Sequence, residues 1–161
     1  MTSLADILDT AALEAQIAAG LITRRVLAGS DIAVYNYTAR AAFSGTWTTE
    51  TRRCRGLVAD GAGCVLARPF EKFFDFGQTT VPLGGPMVAS EKFDGSLGIL
   101  YRRSDGTFAI MTRGDPNSWQ AEAAIRLWRE RYEGLEPPDG ETWCFEIIWL
   151  FALRRGAVPD R

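Results

Sequence analysis

In LGILYRRSDGTFAIMT, residues 97–112, two apolar runs rich in β-forming residues flank the polar triplet Ser104-Asp105-Gly106. Asp-Gly is a frequent turn pair because glycine adopts positive φ without steric cost, so the pattern predicts a β-hairpin. A second pair of apolar runs, residues 57–60 and 64–67, flanks Gly61-Ala62-Gly63 and predicts another hairpin. Hairpins pair their strands antiparallel, so both stretches indicate a domain built on antiparallel sheet.

Two helices are predicted from apolar residues that recur at helical spacing. The first covers residues 4–20, with Ser3 suited to its N-cap and Gly20 to its C-terminal end. The second covers residues 117–132 and begins at a capping Asn117 or Ser118. Its buried face is expected to consist of Ala121, Ala124, Ile125, Trp128 and Tyr132.

Residues 31–38 and 143–151 are the remaining predicted strands, because both are rich in β-branched and aromatic residues. Hairpins with interspersed helices, rather than strict alternation of strand and helix, indicate an α+β fold. With 161 residues, 47% of them hydrophobic and 24% charged, the chain is expected to form one domain, residues 1–161. It shows no signal peptide and no apolar run near the about 20 residues of a membrane span, so we expect a cytoplasmic protein without a membrane partner.

The composition of the chain excludes several classes of catalytic site. The chain contains no histidine, which excludes Ser-His-Asp and Cys-His catalysis and histidine-ligated metals. Cys54, Cys64 and Cys144 are widely separated and form no C-x-x-C pair, so neither a disulfide framework nor a zinc site is expected. The net charge of −2 does not indicate a nucleic-acid binder, although arginines cluster locally. Lysine, carboxylates and hydroxyls remain as the reactive groups.

The strongest candidate nucleophile lies in Glu91-Lys92-Phe93-Asp94-Gly95-Ser96, directly before the hairpin predicted at residues 97–112. On an extended strand Lys92 and Asp94 point to the same face, and Gly95 lets the backbone approach a bulky ligand closely. An ordinary lysine has a pKa of about 10.4 and is protonated at neutral pH. Burial beside a ligand or beside other cations lowers that pKa and frees the lone pair for attack. The alternative interpretation is a charged strand end that enters an Asp-Gly turn.

Three further features suit a nucleoside triphosphate. Arg55 and Lys72 can supply fixed positive charge to phosphates, and Phe74 can stack on a purine. Glu146 lies within an apolar strand, where a carboxylate is costly unless it binds a hydroxyl, a cation or a metal. No Walker-type loop occurs, so side chains would hold the phosphates. Solvated surface charge is the alternative for Arg55 and Lys72, and either Phe73 or Phe74 is expected to be a core residue.

These features, in this order, resemble the ATP-dependent RNA ligases of the bacteriophage tRNA-repair type (RNA ligase 1-like), within the lysine nucleotidyltransferase superfamily. The resemblance extends from about residue 37 to residue 149. The lysine motif alone would also fit DNA ligases and capping guanylyltransferases, whereas the Lys72-Phe73-Phe74 element favours the RNA ligase branch. The motifs are Cys54-Arg55-Gly56, Arg68-Pro69-Phe70-Glu71-Lys72-Phe73-Phe74, Glu91-Lys92-Phe93-Asp94-Gly95-Ser96, Thr112-Arg113-Gly114 and Phe145-Glu146-Ile147-Ile148.

The resemblance implies a nucleotidyltransferase (adenylation) domain of ATP-grasp-like architecture, in which Lys92 is catalytic and attacks the α-phosphate of ATP. The resulting lysyl-AMP passes its AMP to the 5′-phosphate of an RNA end, and a 3′-hydroxyl then seals the strand. ATP and Mg²⁺ are the implied cofactors, no residue is implied as a metal ligand, and RNA ends, with tRNA as one candidate, are the implied partners. The implied nucleotide-binding residues are Tyr37, Arg55, Lys72, Phe74, Glu91, Asp94, Gly95, Arg113 and Glu146.

The family pattern continues beyond Glu146 with one motif that carries an acid and another that carries paired lysines, and neither occurs in this sequence. We therefore expect a C-terminally incomplete adenylation domain, the N-terminal piece of a ligase, which a second polypeptide could complete. Ile147 and Ile148 are expected to lie on an unpaired apolar strand edge. The alternatives are a catalytically impaired nucleotide- or RNA-binding remnant, a DNA ligase or capping-type nucleotidyltransferase, and a protein-interaction remnant without nucleotide affinity.

Overall fold

The computed structural model describes residues 2–75, 77–78, 86 and 88–148. Within these residues the chain forms seven strands in two antiparallel sheets, together with five helices. The predicted α+β fold on antiparallel sheet is thereby confirmed. No described helix is both long enough and apolar enough to cross a lipid bilayer.

The first sheet has four strands in the order β1-β2-β3-β4, and each neighbouring pair is antiparallel. It confirms the predicted hairpin at residues 57–67 and the predicted strand within residues 31–38. The strands are β1 Ile22–Val26, β2 Ala33–Tyr37, β3 Arg55–Ala59 and β4 Val65–Ala67. The helices of this half are α1 Leu4–Ile7, α2 Thr10–Ala18, α3 Ala39–Ser44 and α4 Thr49–Arg53.

The second sheet has three strands in the order β6-β5-β7, and one long helix packs on it. The elements are β5 Ser96–Arg102, β6 Phe108–Thr112, α5 Trp119–Arg131 and β7 Cys144–Ile147. The hairpin predicted at residues 97–112 is confirmed. Ser118 caps α5, as one of the two predicted caps, and accepts a hydrogen bond from the backbone nitrogen of Ala121. Residues 149–151 of the predicted last strand lie outside the described residues.

Side chains of the central strands alternate between two buried layers, as the pleat of a strand requires. On β3, Leu57 packs beneath α1 and α2, whereas Val58 faces the second sheet. On β5, Ile99 faces the first sheet and Leu100 packs against α5 together with Trp128. The molecule is therefore layered as helices, sheet, sheet and helix, and most of its core lies on the faces of these central strands.

The first predicted helix, residues 4–20, is divided in two, because Asp9 begins a new helix. Its carboxylate accepts a hydrogen bond from the backbone nitrogen of Ala12 at 2.9 Å. Gly20 follows the end of α2 at φ +69°, in the left-handed conformation that glycine adopts most easily. On the predicted buried face of α5, Ala121 and Trp128 are buried, and Ala124 and Ile125 are partly buried. Tyr132 follows the helix and is 46% exposed, so its predicted burial is wrong.

Candidate functional site

An open cavity of about 430 Å³ is lined by four stretches that are distant in sequence. The start of β3 contributes Arg55, the segment after β4 contributes Phe73, the segment before β5 contributes Lys92, and β7 contributes Glu146. Its volume lies within the range of small-molecule sites. The fold therefore brings the candidate nucleophile together with Arg55 and Glu146, whereas Lys72 is not among the lining residues.

The lysine motif differs locally from its prediction, because β5 begins only at Ser96. Residues 90–95 form no regular strand, so the alternation that would put Lys92 and Asp94 on one face does not apply. Glu91 and Lys92 both line the cavity and both are exposed, while Asp94 is exposed and does not line it.

Gly95 lies directly against the neighbouring strand β7. A Cβ at this position would lie 2.5 Å from the carbonyl oxygen of Ile147 and 3.3 Å from Cγ of Glu146. The first distance is too short for any side chain, so the fold itself requires glycine here, and the approach of a ligand to Gly95 stays a prediction. The same contact holds the lysine motif directly beside Glu146.

Arg55 reaches the cavity because β3 contains a bulge. Arg55 pairs with Asn36, and Leu57 pairs with the next residue, Tyr35, so Gly56 is an extra residue in β3. Its φ of +84° is in the left-handed region that favours glycine. Residues two apart on a regular strand share a face, so without the bulge Arg55 would point beneath the helices, as Leu57 does.

Gly56 also lies very close to the second half of the structure. A Cβ there would lie 2.6 Å from Cδ1 of Ile99 on β5 and 2.9 Å from the carbonyl oxygen of Arg113, which follows β6. No side chain fits in that space. Gly56 therefore both directs Arg55 and lets the second sheet lie close to the first.

Phe73, rather than Phe74, is the ring of this element that lines the cavity. Its ring centroid lies 4.8 Å from Cζ of Arg55, a cation–π distance, and the side chain is 62% exposed. Phe74 is half-buried and packs edge-on against Trp47, with ring centroids 5.5 Å apart. The sequence could not distinguish the two rings because neither strand nor helix periodicity extends through residues 68–75.

Tyr37, Trp47, Lys72, Phe74 and Arg113 form a second group, the cation–aromatic cluster. Nζ of Lys72 lies 4.5 Å from the ring centroid of Phe74 and 5.7 Å from that of Trp47. The rings of Trp47 and Tyr37 meet edge-on at 5.0 Å. Cζ of Arg113 lies 4.6 Å from the ring centroid of Tyr37, and its guanidinium donates a hydrogen bond to the tyrosine hydroxyl. Sequence reasoning did not identify Trp47, which lies between two predicted site residues.

The cation–aromatic cluster adjoins the cavity through the backbone of Phe73. Nζ of Lys72 donates a hydrogen bond to the carbonyl oxygen of Phe73, whose ring faces the cavity. Asp94 and Gly95 belong to neither group. The other predicted site residues therefore divide into Arg55, Glu91, Lys92 and Glu146 in the cavity and Tyr37, Lys72, Phe74 and Arg113 in the cluster.

Glu146 is exposed, so the expected cost of a carboxylate buried in an apolar strand does not arise. In the cavity the charges of Arg55 and Lys92 are matched by those of Glu91 and Glu146. Among the described residues, no three histidine, cysteine or carboxylate side chains gather as metal ligands.

Cys144 also lines the cavity and would be a competing nucleophile as a thiolate. Burial raises the pKa of the Cys144 thiol, and the opposing effects of a hydrogen bond with the Phe70 backbone and of the Arg55 charge are smaller. A raised pKa keeps the thiol protonated at neutral pH and therefore weakly nucleophilic. The primary amine of Lys92 remains the candidate nucleophile of the cavity.

Close to the cavity, Glu71 is the centre of a salt-bridge network that we call the Glu71 cluster. Its carboxylate oxygens lie 3.0 Å from Arg53, 3.5 Å from Arg52 and 3.6 Å from Arg68. Arg53 also donates a hydrogen bond to the carbonyl oxygen of Ile7. The cluster thus ties α4 and the segment after β4 to the N-terminal helices.

The cavity combines an amine, a guanidinium, aromatic rings and carboxylates in a space suited to one small polar molecule with an aromatic part. Such groups can bind phosphates, stack on a base and accept hydrogen bonds from a sugar. No protein-family model matches this chain, and no curated protein matches it at a significant level.

Proposed function

We propose that this chain is the adenylation domain of an ATP-dependent RNA ligase, with Lys92 as the residue that becomes linked to AMP. The observation that carries the proposal is the single cavity that Lys92 shares with Arg55, Phe73 and Glu146. Its support from sequence is the resemblance of the motifs around these residues to RNA ligases. The proposal includes a nucleotidyltransferase architecture. The two antiparallel sheets and their flanking helices would form the framework of that architecture.

In the proposed reaction, the uncharged Nζ of Lys92 attacks the α-phosphorus of ATP. A phosphorus–nitrogen bond forms while the bond from the α-phosphorus to the bridging oxygen of the β-phosphate breaks. Pyrophosphate leaves with the electron pair of that bond, and the amine releases its proton to solvent. The transfer depends mainly on positioning and on electrostatic stabilisation of the phosphates.

The residues around Lys92 supply that positioning. Arg55 faces the phosphates, Phe73 stacks on the adenine, and Glu146 accepts a hydrogen bond from the ribose. Because Lys92 is exposed, bound nucleotide is what excludes water from its amine. Magnesium bound to the triphosphate would neutralise charge on the phosphates.

The cation–aromatic cluster suits the nucleic-acid half of the reaction. Lys72 and Arg113 supply positive charge beside aromatic rings, the combination that single-stranded nucleic acids bind. In the next steps AMP passes from Lys92 to the 5′-phosphate of an RNA end. A 3′-hydroxyl then attacks that phosphate, releases AMP and joins the strands.

Intact-mass measurement after incubation with ATP and magnesium tests the nucleophile directly. Lys72 and Lys92 are the two lysines of the entire chain, so only they and the terminal amine can form an AMP phosphoramide. We expect the chain to gain one AMP, Lys92→Ala and Lys92→Arg to gain none, and the matched variant Lys72→Arg to keep the adduct. An adduct that persists in Lys92→Arg eliminates Lys92 as the attachment site.

The second candidate function is nucleotide binding without covalent chemistry. It is favoured by the exposure of Lys92 and by the balance of two cations and two carboxylates in the cavity. This function predicts that ATP raises the unfolding midpoint without forming an adduct. If neither effect occurs, both functions are eliminated. Adduct formation with GTP or NAD in place of ATP would instead indicate a capping-type enzyme or a DNA ligase.

A further inference from the structure

A second cavity, of about 540 Å³, lies at the other end of β5 from Lys92, and we call it the distal cavity. Tyr101 and Arg103 line it on one side, and the turn after β1 and Asn117 line it on the others. No residue lines both this cavity and the cavity around Lys92. The strand between them is seven residues long, which is about 20 Å, so the two spaces are separate sites.

Two tight turns form walls of the distal cavity. In the first, the backbone nitrogen of Ser30 donates a hydrogen bond to the carbonyl oxygen of Leu27, and the Ser30 hydroxyl accepts one from the backbone nitrogen of Ile32. In the second, the backbone nitrogen of Gly106 donates to the carbonyl oxygen of Arg103 at 3.0 Å. Each turn is closed by its own hydrogen bonds, so these walls are formed before any ligand binds. A preformed site loses little conformational entropy on binding.

Two guanidinium groups line the distal cavity and can bind an anion. Arg103 is exposed, and within the described part of the chain no carboxylate lies within ion-pair distance of it. Arg25 lies 3.4 Å from the carboxylate of Asp115, and both of these side chains are about half exposed. An exposed pair of this kind contributes little to stability, so a ligand can compete with it. Guanidinium groups match the oxygens of a phosphate with two parallel hydrogen bonds.

Asp105 gives the distal cavity an acceptor. One oxygen of its carboxylate accepts hydrogen bonds from the hydroxyl of Thr107 at 2.6 Å and from the backbone nitrogen of the same residue at 2.9 Å. These two bonds lower the pKa of the Asp105 carboxyl, so it is ionised at neutral pH. The second oxygen can accept a hydrogen bond from a ligand hydroxyl.

The buried hydroxyl of Tyr101 is the observation that points most directly to a ligand. The side chain is 3% exposed and packs in the core beside Ile32, which also lines the distal cavity. No described residue forms a hydrogen bond with this hydroxyl, yet its oxygen is not among the fully enclosed polar atoms without a partner. Buried tyrosine hydroxyls normally have a hydrogen-bond partner. A polar ligand in the distal cavity would provide one.

We propose that the distal cavity binds a sugar phosphate, either free or within a nucleic-acid strand. Arg103 and Arg25 bind the phosphate, and Tyr101 and Asp105 bind hydroxyl groups of the sugar. The volume lies within the range of small-molecule sites and exceeds what a phosphate ion alone would fill. The inference goes beyond the proposed adenylation, since it holds whether or not Lys92 reacts with ATP.

Isothermal titration calorimetry with ribose 5-phosphate tests the site. We expect saturable binding that Arg103→Gln weakens about tenfold, because a charge-assisted pair of hydrogen bonds is lost. Tyr101→Phe is expected to weaken binding about threefold without lowering the unfolding midpoint, since the hydroxyl has no partner among the described residues. The matched control is the neighbouring Arg102→Gln, which loses a salt bridge with Glu136 and does not line the distal cavity. This control is expected to bind as the unmodified chain does.

Two further titrations identify the source of the phosphate and the site that binds it. Ribose without phosphate is expected to bind at least tenfold more weakly, and a short single-stranded RNA replaces ribose 5-phosphate if the site belongs to a strand. For either probe, Arg103→Gln weakens binding at this site, whereas Arg55→Gln in the other cavity does not. Equal effects of Arg102→Gln and Arg103→Gln, equal binding of ribose and ribose 5-phosphate, or binding of neither probe overturns the proposal. None of these measurements uses ATP, so their failure would leave the adenylation test untouched.

Discussion

The Glu71 cluster and the cavity around Lys92 share two stretches of sequence, residues 52–55 and 68–73, and use the cations of these stretches differently. Arg52 and Arg53 lie within 3.5 Å of the Glu71 carboxylate. Arg55, two residues further along, faces the ring of Phe73 and the open cavity. Among the described residues, no carboxylate lies within ion-pair distance of Arg55. A run of arginines can thus divide between structural and ligand-binding roles, and the partner of each arginine indicates which role it has.

Two local features separate the neighbouring arginines. Cys54 is fully buried under the helices and fixes the chain between them. The bulge at Gly56 then turns Arg55 away from the face that Leu57 occupies. Although Arg53 and Arg55 are only two positions apart, the guanidinium of Arg53 joins a salt-bridge network and that of Arg55 faces the open cavity.

The largest effect in this comparison is expected for Glu71→Gln. The substitution leaves three arginines without their shared carboxylate, so we expect the free energy of unfolding to fall by about 2 kcal/mol. Glu136→Gln removes one exposed pair with Arg102 and is the matched control, with an expected loss below about 0.5 kcal/mol. Urea unfolding of both variants measures the difference, and equal losses would show that the cluster has no special structural role.

Phe73→Ala and Phe74→Ala compare the cavity with the cation–aromatic cluster. Because Phe73 lines the cavity and is largely exposed, Phe73→Ala is expected to weaken ATP binding by about tenfold with little change in stability. Phe74 packs against Trp47, so Phe74→Ala is expected to lower the unfolding midpoint more than it weakens ATP binding. Isothermal titration calorimetry and thermal unfolding separate the two effects. The reverse assignment would make Phe74 the base-stacking ring.

The smallest effect concerns Cys54, the residue between the two kinds of arginine. Burial raises the pKa of its thiol to about 12 from the ordinary value of 9.0. The folded state therefore holds this proton more tightly, and the associated stability is present below pH 9 and lost as the pH rises toward 12. Between pH 8 and pH 10 the loss is expected to be about 1 kcal/mol.

Urea unfolding at both pH values, for the unmodified chain and for Cys54→Ala, isolates this contribution. The unmodified chain is expected to lose about 1 kcal/mol more than the variant over that range. The same loss in both proteins would show that the Cys54 thiol does not titrate between pH 8 and pH 10.

The hairpins and α5 could be predicted because each has a clear period and a turn or cap that bounds it. β1 was not predicted, since Thr23, Arg24 and Arg25 are exposed on an edge strand and give no apolar alternation. Helices α3 and α4 have only six and five residues, too few for a helical pattern, although Thr38 and Thr48 cap them. Their formation depends on packing against the sheet more than on their own sequence.

The candidate site was predictable in its residue types and less so in its geometry. The spacing of the motifs identified Arg55, Lys92 and Glu146, which line one cavity. The sequence could not show that Gly95 meets a carbonyl of β7, because that contact joins residues fifty-two positions apart. Nor could it separate Phe73 from Phe74, whose surroundings depend on how an irregular segment crosses the sheet ends.

The absence of a side chain at Gly56 helps to set the distance between the two sheets. The cavity takes side chains from both sheets, and the cation–aromatic cluster joins Tyr37 of β2 to Arg113, which follows β6. At position 56 the gap between the two halves holds only a hydrogen atom. A methyl group introduced there would act as a wedge between Ile99 and the backbone of Arg113. Position 56 is thus a place where the distance between two sets of ligand-binding groups can be altered while every one of those groups is kept.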